Sequence, residues 1–205
     1  KIIFNSEWSR KRFFLNLEYN DKNFEKTAVC FQSSSRTKIN FKKKKKIISF
    51  VGKLNRAKGF DLFGDAVIQI LKKYPDWQAK FYGDEPREKL FYKHKNLKNM
   101  GFQNNNKILN DLKQTSISVV CSRWNEPFGR TSLEAASRGS AVIISNRGGL
   151  PETAPYAIIL KKLNSNILYK EIQKLILNPK RLLNLQKKNY KSFIFTHIYI
   201  SKILD

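Results

Sequence analysis

The stretch NEPFGRTSLEAASRGSAVIISNRGG, residues 125–149, places two glutamates on either side of a turn. Glu126 sits in a loop with Pro127 and Gly129, and Glu134 lies inside a helix predicted over Arg130–Arg138. Gly139 is a natural residue to stop that helix, because glycine takes a left-handed conformation without steric cost. The helix N-terminus opens toward the space beside Glu126. Its first backbone N–H groups have no partner inside the helix and carry partial positive charge, which suits a phosphate. Carboxylates on either side suit sugar hydroxyls. Spaced glutamates alone more often lie on a solvated surface, so the neighbouring residues decide the reading.

Outward from this stretch, short apolar runs alternate with amphipathic segments. Ile47–Val51, Trp77–Tyr82, Leu97–Phe102, Ser116–Cys121, Ala141–Ser145 and Tyr156–Leu160 read as strands. Lys58–Lys73, Pro86–Lys93 and Asn105–Gln114 read as helices between them. This order predicts an α/β fold, a parallel sheet covered by helices on both faces. Ligands of such sheets bind at the loops beyond the strands' carboxyl ends. Asn166–Leu177, Pro179–Asn189 and Lys191–Leu204 are predicted helices that follow the sheet. Ahead of it, Ser6–Leu17 reads as a helix with Ser6 as N-cap, and Thr27–Phe31 reads as extended. Ser33–Lys46, ending in FKKKKK, reads as a linker or surface loop whose lysines are solvated.

The chain has 205 residues, 40 Lys and Arg against 16 Asp and Glu, a net charge of +24 and 41% hydrophobic residues. That apolar content supports a folded core and excludes disorder. The lysines are scattered and Asn and Ile are abundant, which reads first as the codon bias of an AT-rich genome. An anionic partner is the competing reading: acidic lipid, phosphorylated ligand or nucleic acid. Nucleic acid rests on charge alone and is disfavoured, since no binding motif accompanies it. Cys30 and Cys121 have no metal or redox spacing, which fits a reduced, cytoplasmic compartment. His94 and His197 stand alone, and no apolar run reaches the roughly 18 residues of a membrane span. With no initiator Met and no signal-peptide pattern, the chain reads as a fragment beginning inside a larger protein.

A second candidate lies in FVGKLNRAKGFD, Phe50–Asp61. Gly52 permits close backbone approach, and Lys53 and Lys58 flank a tight loop before a helix, a clamp suited to a diphosphate. Together with SRWNEPFGRTSLEAASRG (Ser122–Gly139), this segment resembles the signature of the retaining, nucleotide-sugar-dependent glycosyltransferases of the GT-B fold, the group 1 family. Trp124, Pro127, Phe128, Gly129, Leu133, Glu134, Ala135 and Gly139 fall where that family has them. The likeness is strong from Ile47 to Glu152 and reaches SEWSRKRF near the N-terminus.

The resemblance implies a Rossmann-like three-layer α/β/α sheet, the C-terminal half of a GT-B enzyme, followed by C-terminal helices. Residues 1–45 are then the tail of an acceptor domain with its linker, 46–160 the nucleotide-sugar-binding domain, and 161–205 the closing helices. It implies transfer of a hexose from a nucleotide sugar to an acceptor hydroxyl with retention. Lys53 and Lys58 would hold the diphosphate, and Glu126 the sugar hydroxyls, these three being the catalytic candidates. Glu134 would hold the ribose, and Gly52 with the backbone of Phe128, Gly129 and Thr131 would approach the donor. Arg130 reads as a surface residue. Where the family most often has Arg, this chain has Lys53, which keeps charge but loses bidentate geometry. Gly83-Asp84-Glu85 and Gly101-Phe102 resemble loops near the nucleotide base, and Gly148–Glu152 resembles the turn after the next strand. No Asp-x-Asp pair in a suitable context appears, so neither metal nor other cofactor is expected. Partners implied are a nucleotide sugar and a glycan, lipid or small-molecule acceptor, with peripheral contact at the inner face of an anionic membrane as a candidate. The alternative is a non-catalytic nucleotide-binding Rossmann-like module.

Overall fold

The structure, a computed structural model, describes residues 1–15 and 24–204. The chain opens with Ile2–Phe4 (β1), Glu7–Phe14 (α1) and Thr27–Val29 (β2), where β1 pairs in parallel with β2 as Ile2 with Thr27 and Phe4 with Val29. Ser6 caps α1 as expected, accepting from the Ser9 N–H at 2.9 Å. The expected end of that helix at Leu17 lies outside the described residues.

The main sheet follows. Its elements are Lys45–Val51 (β3), Phe60–Lys73 (α2), Gln78–Tyr82 (β4), Leu97–Asn99 (β5), Asn105–Leu112 (α3), Thr115–Val120 (β6), Arg130–Ser137 (α4), Ala141–Ser145 (β7) and Ile158–Leu160 (β8). The six strands lie in the order β5-β4-β3-β6-β7-β8, all parallel. This is the doubly wound order, with its reversal between β3 and β6. Every residue of β6 and β7 is buried, as expected for strands covered on both faces. On one face α2 lays Phe63, Val67 and Ile70 against Ile48, Ile117 and Ile143. Ser165–Leu177 (α5) joins that layer through Leu168, Ile172 and Leu175. On the other face Leu112 of α3 and Ala135 and Ala136 of α4 cover Val120, Val142 and Ile144.

Pro179–Lys191 (α6) closes the amino-terminal ends of the strands. Gln186 donates to the Ser116 carbonyl at 3.0 Å and Asn189 to that of Ser140 at 3.1 Å. The linker ahead of β3 is fastened to the same end. Arg138 donates to the Ser35 carbonyl and hydroxyl, and Tyr190 donates to the Thr37 carbonyl at 3.1 Å. Lys44 departs from the expectation of a solvated lysine run: its ammonium donates to the carbonyls of Leu112, Thr115 and Arg138 at 3.1, 2.7 and 2.7 Å. Burial pushes that ammonium down to about 7 from its ordinary 10.5.

Two predicted elements differ. Residues 86–93 form turns and irregular chain rather than a helix. The carboxylate of Glu85 accepts from Arg87 and Asn55, and that of Glu88 accepts from the Arg56 N–H, so side chains pull this segment toward the loop before α2. Tyr92 drops into the core beside Phe60 and donates to the Asp61 carbonyl at 3.1 Å. The last predicted helix is broken after α6: Phe193 and Phe195 turn into a cluster with Phe128 and Leu133, and His197–Leu204 (α7) follows.

Lys44→Met leaves three carbonyls without their donor. At pH 9, where the group is a neutral amine with two N–H donors, we expect a loss of about 1–3 kcal/mol in urea unfolding. The Lys44 group binds its proton more weakly folded than unfolded, so wild-type stability gains from this site as pH rises from about 7 toward 10.5. The variant lacks that gain, so the gap between the two should widen over this window.

Candidate functional site

Where the strand order reverses, β3 runs out into Gly52 and β6 into Cys121 and Ser122. The chain leaves toward α2 on one face of the sheet and toward α4 on the other. The crevice between these exits is lined by Gly52, Lys58, Ser122, Glu126 and the first turn of α4. Its two loops are stitched into one unit. The Ala57 carbonyl accepts from the N–H of Arg123 at 2.8 Å and of Trp124 at 3.1 Å. The Arg123 guanidinium grips Asp61 through two bonds of 2.6 and 2.7 Å and also donates to the Arg56 carbonyl at 2.6 Å. Burial of Asp61 works to raise its pKa, but the Arg123 bonds outweigh it and hold the carboxyl below its ordinary 3.8.

That unit brings Lys58 and Glu126 together. Asn55 fixes the backbone of Lys58, accepting from its N–H at 2.9 Å, and the Lys58 ammonium meets Glu126 Oε1 at 2.6 Å. Glu126 is held from behind. Its carbonyl accepts from the Gly149 N–H at 2.7 Å. Gly148 has φ +60°, and a Cβ there would overlap the Glu126 backbone, so the turn admits only glycine without displacement. One residue further on, the hydroxyls of Ser6 and Ser9 both reach the Pro127 carbonyl. The carboxylate of Glu152 meanwhile accepts from the N–H groups of Glu7 at 2.8 Å and Trp8 at 2.9 Å, capping α1.

Helix α4 starts at Gly129, φ +111°, with no side chain capping its first turn. Its first N–H groups are therefore left to the crevice. The Ser132 hydroxyl bonds back to the Gly129 carbonyl at 2.7 Å and to the Thr153 hydroxyl at 2.6 Å, fixing this turn. Glu134, one turn deeper and 6% exposed, accepts from Arg130 Nε at 2.9 Å. The space remaining is about 70 Å³. The Lys58–Glu126 pair lines it, whereas Glu134 is not among its lining residues.

A neighbouring cleft of about 250 Å³ shares Val51 and Gly52 with the first and is lined by Lys53, Tyr82, Gly83, Phe102 and Ile108. Tyr82 donates to Asp111 at 2.9 Å; its burial first, and then that carboxylate, push the phenol up. Aromatic and aliphatic walls here suit a flat ring.

Of the residues singled out from sequence, Gly52, Lys58, Glu126, Gly129 and Thr131 share one crevice, Lys53 lines the adjoining cleft, and Glu134 lies buried beneath Arg130, lining neither. The Phe128 side chain is committed to the core with Leu133, Phe193 and Phe195. Arg130 is exposed at the surface, as read, and also lines the crevice; the wall made by Tyr82 and Ile108 was not foreseen. A signal for the crevice position of Arg130 existed: a cation at the first position of a helix faces the positive pole. Among the described residues no group of three or more His, Cys, Asp or Glu is placed to hold a metal. No helix among them is long and apolar enough to cross a membrane.

The family model described as Glycosyl transferases group 1 matches residues 31–192. Spore coat protein SA of Bacillus subtilis (strain 168) is 31% identical over 124 residues, 53% of this chain and 32% of that protein. The match thus spans about a third of that relative's length. Anabaena Alr3699/HepE, in complex with UDP-glucose, superposes with a TM-score of 0.81 at 19% identity, over 98% of this chain and 61% of that one. The C-terminal domain of a glycosyl transferase group 1 family protein (LpcC) from Francisella tularensis superposes with a TM-score of 0.65 at 24% identity, over 77% and 92%.

Gly148→Ala forces either a left-handed alanine or a shift of the Glu126 backbone. A loss of at least about 1–2 kcal/mol in urea unfolding is expected. The same change at Gly101, where φ is +63° but no atom lies within 4 Å of the added Cβ, should cost strain alone and therefore less.

Proposed function

The chain belongs to the group 1 glycosyl transferases, and on that premise we propose that it is the donor-binding part of a retaining glycosyltransferase acting on a nucleotide-activated hexose. The observation that carries this reading is the meeting of Lys58 and Glu126 at 2.6 Å in the crevice at the reversal of strand order. A cation and a carboxylate are presented side by side at the mouth of an uncapped helix. The donor matches them part for part. Its diphosphate suits Lys58 and the N–H groups of α4, with Lys53 alongside. Glu126 accepts from hydroxyls of the transferred sugar, and Glu134 accepts from those of the ribose. The base takes the apolar cleft.

Cleavage of the bond between the anomeric carbon and the diphosphate oxygen builds negative charge on the leaving group. Cations drawn onto the leaving group and a helix N-terminus favour that charge more in the transition state than in the ground state, which is the condition for acceleration. No metal is needed for it in this reading. The acceptor is a glycan, lipid or small molecule bearing a hydroxyl, bound chiefly by the domain whose tail is residues 1–45. Residues 46–160 hold the donor and 161–205 close the fold. A cytoplasmic setting, peripheral to an anionic membrane face, suits the basic surface and the two free cysteines.

Calorimetry with matched nucleosides, nucleoside diphosphates and nucleotide sugars carrying uracil, guanine or adenine tests this. Lys58→Ala should weaken the diphosphate by about 1.5–3 kcal/mol and leave the nucleoside nearly unchanged. Glu126→Ala should reduce nucleotide-sugar affinity about ten- to a hundredfold while leaving diphosphate affinity intact or improved, since Lys58 is released. Glu134→Ala should weaken both. A wild-type chain that binds none of these ligands overturns the reading.

A further inference from the structure

Arg130 lines the donor crevice, in a position that is electrostatically poor without an anion. It is the first residue of α4, where the helix dipole is positive and no acidic residue occupies the first turn. Lys58 lines the same crevice. Its pairing with Glu134 runs cation first, the weaker order for partners four residues apart. A doubly charged anion between Lys58, Arg130 and the N–H groups of α4 would turn each of these costs into a gain.

The two ion pairs have the same asymmetry. The Lys58 side chain is 32% exposed against 14% for Glu126, and that of Arg130 is 60% exposed against 8% for Glu134. In each, the carboxylate is fixed and the cation lies on a flexible stem at the surface. Resting on the donor-binding reading above, we propose that Arg130 is a further diphosphate-binding residue and that Glu134 holds it in reserve until the donor enters. The exchange conserves partners. The diphosphate takes over Lys58 and Arg130, and the two carboxylates released accept from neutral donors, the sugar hydroxyls at Glu126 and the ribose hydroxyls at Glu134. Arg130 thereby acts on two parts of the donor with opposite sign: it attracts the phosphates and competes with the ribose for Glu134.

Opposite sign is the test. Arg130→Gln keeps a hydrogen-bond donor near Glu134 but removes the charge, and Arg130→Lys restores the charge without the fork. Calorimetry uses whichever of UDP, GDP and ADP binds the wild-type chain, with its nucleoside and with inorganic pyrophosphate as separate arms. For Arg130→Gln we expect the nucleoside diphosphate and pyrophosphate to weaken about tenfold. The nucleoside should bind as in wild type or more tightly. Arg130→Lys should fall between. Equal weakening of nucleoside and diphosphate, or an unchanged diphosphate, overturns the inference while the donor-binding reading stands. Loss confined to the nucleoside diphosphate, with pyrophosphate unaffected, also overturns it, because the contact would then depend on the nucleoside. If the wild-type chain binds none of the three diphosphates, the donor-binding reading and this inference fall together.

Discussion

The parallel pairing of β3 with β6 sends two carboxyl ends out of the sheet side by side, while the crossovers that follow them leave on opposite faces. No helix can fill the gap between those exits, because α2 starts on one side and α4 on the other. Each exit is a loop that must return to cover its own helix start. The loops therefore meet, and the bonds from Arg123, Trp124 and Asp61 across them fix how. Lys58 and Glu126, 68 positions apart in the chain, become neighbours by this route alone.

The crevice so formed is rich in charge yet balanced. Lys58 and Glu126 line it and satisfy each other, and the buried Glu134, outside its lining, is satisfied by Arg130. A dry, unpaired carboxylate at the depth of Glu134 would be expensive. Internal pairing lets the protein keep such groups ready without that penalty.

How much of this was legible in the sequence depended on whether a residue's environment was local. β6 and β7 are continuous apolar runs and α2 is a periodic one, so composition alone marks them. Residues 86–93 open with a proline and hold good helix formers, but Tyr92 is claimed by Phe60 and Asp61, partners far away in sequence. β1 has three residues and exists only through β2. Lys44 is one lysine among its neighbours until the carbonyls of three distant residues converge on it. In the site, the motifs identified Lys58 and Glu126 as residues of interest. Their mutual bond, and the bond between Arg130 and Glu134, follow from the meeting of loops and the turn of a helix, which no motif records.

The cap that Glu152 places on α1 is also a mechanical joint. Two N–H groups of α1 are held by a residue of the turn after β7, and two of its flanking hydroxyls by the carbonyl that follows Glu126. A displacement of α1 along its own axis cannot be absorbed at one end only. It must either break the Glu152 cap or tug the Pro127 peptide, and with it the carboxylate that faces Lys58. The opening segment of the chain is thus tied directly to the loop that carries Glu126.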